Sequence, residues 1–482
     1  METQLLIDNE DRPATGRVTF ERRNPLDGTV ATRAAAASVE DAHAAVESAS
    51  AAFVSWANTG PSLRRAILNR AADLFEARAE SFREAMSAET GAAPSWATLN
   101  SLLAAGNLRE AAAMTSQVKG DILPSDKPRY LSLVQRVPVG VCLAIAPWNA
   151  PLVLCARAIA MPLACGNTVV LKASEISPAT QILFSKLLHE AGLPKGVLNV
   201  LTVAPADNPK VVESIIAHPA VRHVNFTGSS RVGRIVAEIA GRNLKRALLE
   251  LGGKAPFLVL DDADLDESVT AAAFGAFMHQ GQICMSTERL IVDAKVADAF
   301  VGKLVAKASS LRAGNPLKGN VALGSLVDKA SAERVRALID DAVKLGARLL
   351  VGGQVNGTIL SATVLDHVTP AMRIYREESF GPVVPIIRVK DIDEAVRVAN
   401  DTEYGLAATI FSRDVTRALQ VARRIEVGAC HINGPTVQDE AHVPLGGVKA
   451  SGYGRFQGLE GIHEFTQARW VTVEDRSQHY PF

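Results

Sequence analysis

Cysteine is scarce in this chain. There are five in 482 residues, at 142, 155, 165, 284 and 430. Their odd number and scatter exclude a disulfide framework and the close spacing of a zinc site, so no metal is expected and a reducing cytoplasm fits. An excess of either charge is also missing, with Lys+Arg at 51 and Asp+Glu at 51. That balance leaves no basic footprint for nucleic acid or an anionic membrane. No long apolar run survives intact: Val137 to Ala156 is broken by Pro138, Pro147, Asn149 and Pro151, which mark strand, turn and helix start rather than a membrane span. The opening Met1 to Asp11 is acidic and polar, unlike a signal peptide. Internal repeats and low-complexity tracts are absent too. What is present is 48% hydrophobic and 21% charged sequence, the balance of a compact protein, in a chain long enough for two or three domains.

Residues 1–36 read as an extended polar arm. Ser38 to Arg83 is helical, with Ser38 as a cap and Glu40 and Asp41 in the first turn; Pro61 starts a further helix to about Thr90, and Trp96 to Ser116 another. Tyr130 to Val137 alternates as a strand, bounded by Gly120 and Pro138. From Gly140 the rhythm becomes strand, turn, helix. Strands are expected at Val141–Ala146, Thr168–Leu171, Val197–Leu201 and Arg222–Phe226, with helices between them. A second such rhythm follows Gly253, with strands at Phe257–Leu260, Leu290–Val292, Val383–Val389, Thr409–Phe411 and Ala429–Ile432. Continuous apolar strands alternating with helices specify an α/β fold with parallel sheets covered on both faces. Such sheets bind ligands at the carboxyl ends of their strands.

Several stretches carry chemistry-bearing residues. Cys284, in Gly281-Gln282-Ile283-Cys284, follows the apolar helical run Val269–Met278, and Glu250, in Leu249-Glu250-Leu251-Gly252-Gly253-Lys254, stands at a strand end about thirty residues earlier. A thiol and an acid so placed are either a nucleophile and its base or an inert buried cysteine and an unrelated carboxylate. Asn149, in Pro147-Trp148-Asn149-Ala150-Pro151, either donates to an oxyanion or caps the next helix. Lys172 and Glu175 follow a strand, where they suit a ribose or an exposed loop; a carboxylate there repels a 2′-phosphate. Phe226-Thr227-Gly228-Ser229 with Gly233 is either a glycine-containing cap or a turn open to a pyrophosphate. Glu378 and Phe380, before Gly381-Pro382, fit a second ribose site or a solvated turn.

In order and spacing, these stretches resemble the NAD(P)-dependent aldehyde dehydrogenase superfamily over roughly residues 20 to 475. The matching motifs are Pro-Trp-Asn at 147–149, Lys-x-x-Glu at 172–175, Phe-Thr-Gly-Ser at 226–229, Glu-Leu-Gly-Gly at 250–253, Gly-Gln-x-Cys at 281–284, Glu-Glu-x-Phe-Gly-Pro at 377–382 and Gly-Gly-x-Lys-x-Ser-Gly at 446–452. The resemblance implies two doubly wound parallel-sheet domains plus a small β oligomerisation element. The NAD-binding domain would take residues 1–118 and 138–249, the catalytic domain 250–450, and the oligomerisation element 119–137 and 451–482. It implies Cys284 as nucleophile, Glu250 as general base, and Asn149 with the Cys284 backbone N–H as oxyanion hole. NAD would be held by Trp148, Lys172, Glu175, Gly228, Ser229, Gly233, Leu251, Glu378 and Phe380. The implied chemistry is a hemithioacetal on Cys284, hydride loss to NAD, and hydrolysis of the resulting thioester. A homodimer or homotetramer is implied as well.

For the substrate, Ala150 stands where many relatives carry an aromatic residue, which should widen the aldehyde passage. Arg157 is either a surface charge, an interface ion pair, or a donor to an oxygen substituent on the substrate. Trp96, Leu154, Ile283, Met285 and Leu445 suit either the passage wall or ordinary core. Asn433 to Glu440, with Gly446 to Phe456, is similar to bacterial aromatic-aldehyde dehydrogenases, the salicylaldehyde type foremost, and implies a salicylaldehyde or benzaldehyde-like substrate. The alternatives are an aliphatic or semialdehyde dehydrogenase, NADP-linked or CoA-acylating, and a non-catalytic NAD-binding protein.

Overall fold

The structure is a computed structural model that describes residues 1–474 and 482, apart from 128, 317 and 320. Its first large sheet has eight strands, in the order Gly452–Tyr453, Arg246–Glu250, Val221–Thr227, Val141–Ile145, Thr168–Lys172, Leu198–Leu201, Leu5–Ile7, Glu10–Arg12. The five from Arg246–Glu250 to Leu198–Leu201 run parallel, and the outer strands are antiparallel. Every residue of Val141–Ile145, Thr168–Lys172 and Leu198–Leu201 is buried, and apolar side chains dominate all three. Val141–Ile145 pairs with Thr168–Lys172 on one side and Val221–Thr227 on the other, so the chain order reverses there. This is the switch point at which a crevice opens above the carboxyl ends.

The second sheet has seven strands, in the order Arg348–Val351, Thr363–Asp366, Val383–Val389, Thr287–Asp293, Ala255–Val259, Ala407–Phe411, Ala429–Ile432. Only the first pair is antiparallel. A third sheet is a ribbon of three antiparallel strands, Thr466–Glu474, Tyr130–Pro138 and Asp121–Leu123, paired over the full length from Thr466↔Pro138 to Glu474↔Tyr130.

Several expectations differ from what forms. Residues 1–36 are not simply an arm. Leu5–Ile7 is a fully buried strand of the eight-stranded sheet, turned back by Asp8 and Asn9 at φ 57° and 61°. Asp and Asn tolerate this left-handed pair, and such a turn matches the twist of the two strands it joins. Thr19–Arg23 and Val30–Ala35 add a small sheet. The helical stretch after Ser38 divides into Val39–Ala57, Pro61–Ala77 and Ala79–Thr90. The first carries a reciprocal cap, in which Ser38 Oγ accepts from Asp41 N and Asp41 Oδ2 accepts from Ser38 N. Within the span 451–482, Gly452–Tyr453 pairs with Arg246–Glu250, and the helix Gly458–Phe465 packs on Pro94–Met114 and Pro151–Ala164. Only Thr466–Glu474 joins the ribbon, and residues 475–481 lie outside the described residues.

Candidate active site

Cys284 does not sit at a helix end. The helix Leu265–Phe277 stops short, and the chain passes through His279, Gln280 and Gly281 at φ 49°, 55° and 70° before reaching the thiol. Two successive left-handed non-glycine residues cost about 1–3 kcal/mol each and persist only where the surroundings fix them. Here Gln280 Nε2 donates to Ser325 O at 2.8 Å and its Oε1 accepts from Gly324 N at 2.9 Å. Gln282 Oε1 accepts from Val327 N at 3.0 Å. Gly281 has no substitute, because a Cβ there would lie 2.2 Å from Gly381 O. The thiol is half-buried, and its enclosure together with the Glu250 carboxylate pushes it well above the ordinary cysteine range.

Glu250 ends the strand Arg246–Glu250 and is fully buried. Neither carboxylate oxygen is closed by a full hydrogen bond, although the Cys284 thiol and the Thr227 hydroxyl face it. Burial raises its carboxyl above the usual range, against the pull of Arg157. An unpartnered buried carboxylate facing a thiol is rare as structure and apt as a base.

Asn149 is buried in the turn after Val141–Ile145. Its Nδ2 donates to Gln282 O at 3.0 Å, and its carbonyl accepts from Trp96 Nε1 at 2.8 Å. The N-cap of the next helix, Pro151–Ala164, is Ala150, so Asn149 is not spent on capping. One N–H of its amide binds the segment that leads to Cys284, which leaves the other for a further acceptor.

A cleft of about 310 Å³ opens at the switch point. Trp148, Gly228, Ser229, Leu251, Glu378 and Phe380 line it together with Asn149, Leu154 and Cys284. Trp148 and Phe380 meet edge to face at 5.9 Å. Ser229 caps the helix Ser230–Arg242, whose first turn holds no acidic residue, so its positive end is open to an anion. Glu378 Oε1 accepts from Gly253 N at 2.9 Å, and enclosure with the neighbouring Glu288 carboxylate pushes its carboxyl up to about 7. Lys172 and Glu175 lie outside this lining and pair with each other at 2.7 Å, at the end of the adjacent strand. Gly233 acts indirectly: a Cβ there would strike Leu251 Cδ2 at 2.4 Å, so its absence lets Leu251 reach the cleft wall. Arg334 lines the cleft unannounced, its Nη1 donating to Glu378 O at 3.1 Å. It lies mid-helix in Lys329–Lys344, among charged neighbours that give no signal. Helix N-terminus, glycine turn and ribose-directed carboxylate together fit a dinucleotide.

Trp96, Ala150, Leu154, Ile283, Met285 and Leu445 are buried in one continuous apolar cluster against which Cys284 packs. Of these, Leu154 alone also lines the described cleft. Arg157 is neither a surface charge nor, within this chain, an open interface group. It is buried, with Nη2 2.6 Å from Asp439 Oδ2, while its Nε and Asp439 Oδ1 have no partner. Asp439 carried no signal of its own in the sequence. His279 stacks on Trp96 at 4.9 Å with both ring nitrogens unpartnered, and burial drives its pKa down to about 3.

Comparison with known proteins adds the following. The sequence model of the Aldehyde dehydrogenase family matches residues 12–471. A vanillin dehydrogenase of Pseudomonas fluorescens is 58% identical over 481 residues, covering 100% of both chains. A benzaldehyde dehydrogenase [NAD(+)] of Pseudomonas putida is 40% identical over 95% of this chain and 94% of its own. The crystal structure of a salicylaldehyde dehydrogenase from Pseudomonas putida G7, complexed with salicylaldehyde, superposes with a TM-score of 0.98 at 49% identity, over 100% of both chains.

Proposed function

The chain belongs to the aldehyde dehydrogenase family, and from that premise we propose that it oxidises an aromatic aldehyde to the carboxylic acid with NAD+ as acceptor. The observation that carries the chemistry is the buried, unpartnered Glu250 carboxylate facing the Cys284 thiol. The thiol reacts as its thiolate, its proton passing to solvent, while Glu250 stays free as the base for the later step. The thiolate then adds to the aldehyde carbon. Asn149 Nδ2 and the Cys284 backbone N–H hold the resulting oxyanion, a donor of this kind being worth about 3–4 kcal/mol. Bound in the cleft, NAD+ would serve as acceptor for the hydride lost as the oxyanion collapses to a thioester. Glu250 finally draws a proton from water, which attacks the thioester and frees the acid.

The cofactor reading rests on the cleft lining, with Glu378, Phe380 and Trp148 on the nicotinamide side and Gly228 and Ser229 at the pyrophosphate. Lys172 and Glu175 take the adenosine ribose, and the Glu175 carboxylate disfavours NADP. The eight-stranded sheet is then the NAD-binding unit and the seven-stranded sheet the catalytic one. The aromatic substrate is supported by the vanillin, benzaldehyde and salicylaldehyde relatives and by the apolar cluster from Trp96 to Leu445 around the thiol. Arg157, whose charge is felt at Glu250 and Cys284, pairs with Asp439 and keeps an unpartnered Nε for a ring oxygen. The intact base favours hydrolysis over transfer to CoA. We further propose a homodimer or homotetramer joined through the ribbon, working in the cytoplasm. Among the described residues no helix is long and apolar enough to cross a membrane.

The test is NADH formation from vanillin, salicylaldehyde, benzaldehyde, hexanal and succinate semialdehyde, each with NAD+ and NADP+. Preference for the three aromatic aldehydes with NAD+ is expected. Equal or better turnover of hexanal and succinate semialdehyde would remove the substrate assignment and leave the chemistry standing.

A further inference from the structure

Glu288 lies four residues beyond Cys284, on the buried strand Thr287–Asp293. It has no place in the chemistry above, yet its carboxylate is among the most heavily engaged groups in the protein. Its Oε2 accepts from Lys254 Nζ at 2.6 Å, and both partners are buried. The two oxygens together accept from Ser379 N at 3.0 and 3.1 Å and from Ser379 Oγ at 2.8 Å each, and Oε1 accepts from Phe380 N at 3.1 Å. Phe380 needs this hold, because its φ is 45°, a conformation that L side chains adopt only when the surroundings impose it. The residues on either side of Ser379 are Glu378 and Phe380, which both line the cleft.

The three stretches of chain that meet at this carboxylate each also carry a residue of the cleft lining. Lys254 closes the segment that begins with Glu250, in which Gly253 N donates to Glu378 at 2.9 Å and leaves no room for a Cβ, since one would lie 2.3 Å from Cys284 O. Glu288 itself continues from the nucleophile. Ser379 and Phe380 form the turn whose Gly381 carbonyl closes on Gly281. A buried charge this fully satisfied fixes one arrangement and makes alternatives costly.

We infer that Glu288, paired with Lys254, is a positioning residue that sets Glu378 and Phe380 at the nicotinamide end of the cleft relative to Cys284. It acts on the cofactor through that turn and does not touch it. The inference rests on the cofactor reading above. The groups that face Glu378 are Glu288, Lys254, Arg334, Tyr404 and Cys284. Removing the Glu288 charge therefore removes a repulsion that keeps the Glu378 carboxyl high, and moves its titration to lower pH.

The experiment is a calorimetric NAD+ titration of wild type and Glu288→Gln across pH, with thermal unfolding of the free proteins and KM for NAD+ and aldehyde measured alongside. An amide at 288 turns an acceptor into a donor against Ser379 N–H and leaves Lys254 unpaired. Glu288→Gln should bind NAD+ about tenfold or more weakly, with KM for NAD+ rising in step and the aldehyde KM at saturating NAD+ unchanged. The acidic limb of NAD+ affinity, which follows Glu378, should move to lower pH, a shift that a merely structural role would not produce. If Glu288→Gln does not fold, Lys254→Met/Glu288→Gln carries the affinity test without an unpaired ammonium, and its limb moves less because the Lys254 charge that lowers the Glu378 carboxyl is lost as well. Wild-type affinity and an unmoved limb in the variant, with NAD+ bound by the wild type, would overturn the inference alone. A wild type that binds no NAD+ would overturn the cofactor reading and the inference with it.

Discussion

Glu250 shows how a single residue is held ready at a cost to the fold. It is buried, lacks a closed hydrogen bond, and has its carboxyl raised. A group whose folded value is raised contributes stability that is complete below the ordinary carboxylate range and is lost as pH rises through the raised value. The folded protein is therefore penalised for ionising Glu250 at neutral and alkaline pH. Glu250→Gln should melt above the wild type at mildly alkaline pH, with the gain closing in acid, as read by thermal unfolding across pH. Its kcat should fall by about a hundredfold to ten-thousandfold. Cys284, Glu250 and Asn149 were legible in the sequence because each stands in a short motif whose residue types the chemistry requires. Arg334 and Glu288 were not, because each is an ordinary charge in an ordinary stretch and gains its meaning from what folds against it; Asp439 stands in the stretch 433–440 that carries the aromatic-aldehyde resemblance, but its role comes only from Arg157 across from it. Arg157 lay between these cases: its Ala and Ile neighbours suit a buried helix, yet only the structure shows Asp439 across from it.

At the scale of elements, the legible parts were those with an unbroken period. Val383–Val389 forms as read, because a buried parallel strand needs a largely apolar run, and Ala429–Ile432 forms as read at the edge of the same sheet. Leu5–Ile7 escaped notice because three apolar residues between polar ones carry no period, and its partner strand is supplied by residues almost two hundred positions away. The bend at His279–Gly281 was hidden too, since His279 and Gln280 do not advertise left-handed backbone. The helix Pro151–Ala164 is tied to the segment that carries Asp439 by one buried ion pair. Breaking such a pair leaves an uncompensated charge, at about 3–5 kcal/mol, whereas replacing both partners with apolar groups is often close to neutral. Asp439→Ala should therefore lower the denaturant midpoint strongly, and Arg157→Met/Asp439→Leu should recover most of that loss. On the aromatic reading, the double variant should nevertheless turn over hydroxylated benzaldehydes less well than benzaldehyde itself.

For the whole molecule, the ribbon is the least self-sufficient part. Ile122 and Trp470 are 76% and 71% exposed on two of its strands. Exposed apolar surface of this kind marks an interaction face. Trp470→Glu should reduce the assembly mass measured by light scattering, while the melting of the two large sheets stays near the wild-type value. The candidate catalytic centre is likewise a product of the whole: Cys284 precedes a strand of the seven-stranded sheet, whereas Glu250 ends a strand of the eight-stranded sheet and Asn149 lies in the turn after another. The central claim is that these groups make one covalent machine, in which Cys284 carries the acyl group and Glu250 releases it. It is tested most directly by mixing Glu250→Gln with NAD+ and benzaldehyde and following NADH and intact mass together. The account predicts close to one equivalent of NADH per chain, then a stall, with one benzoyl group added at Cys284. Sustained turnover by Glu250→Gln, or NADH without an adduct on Cys284, would contradict it.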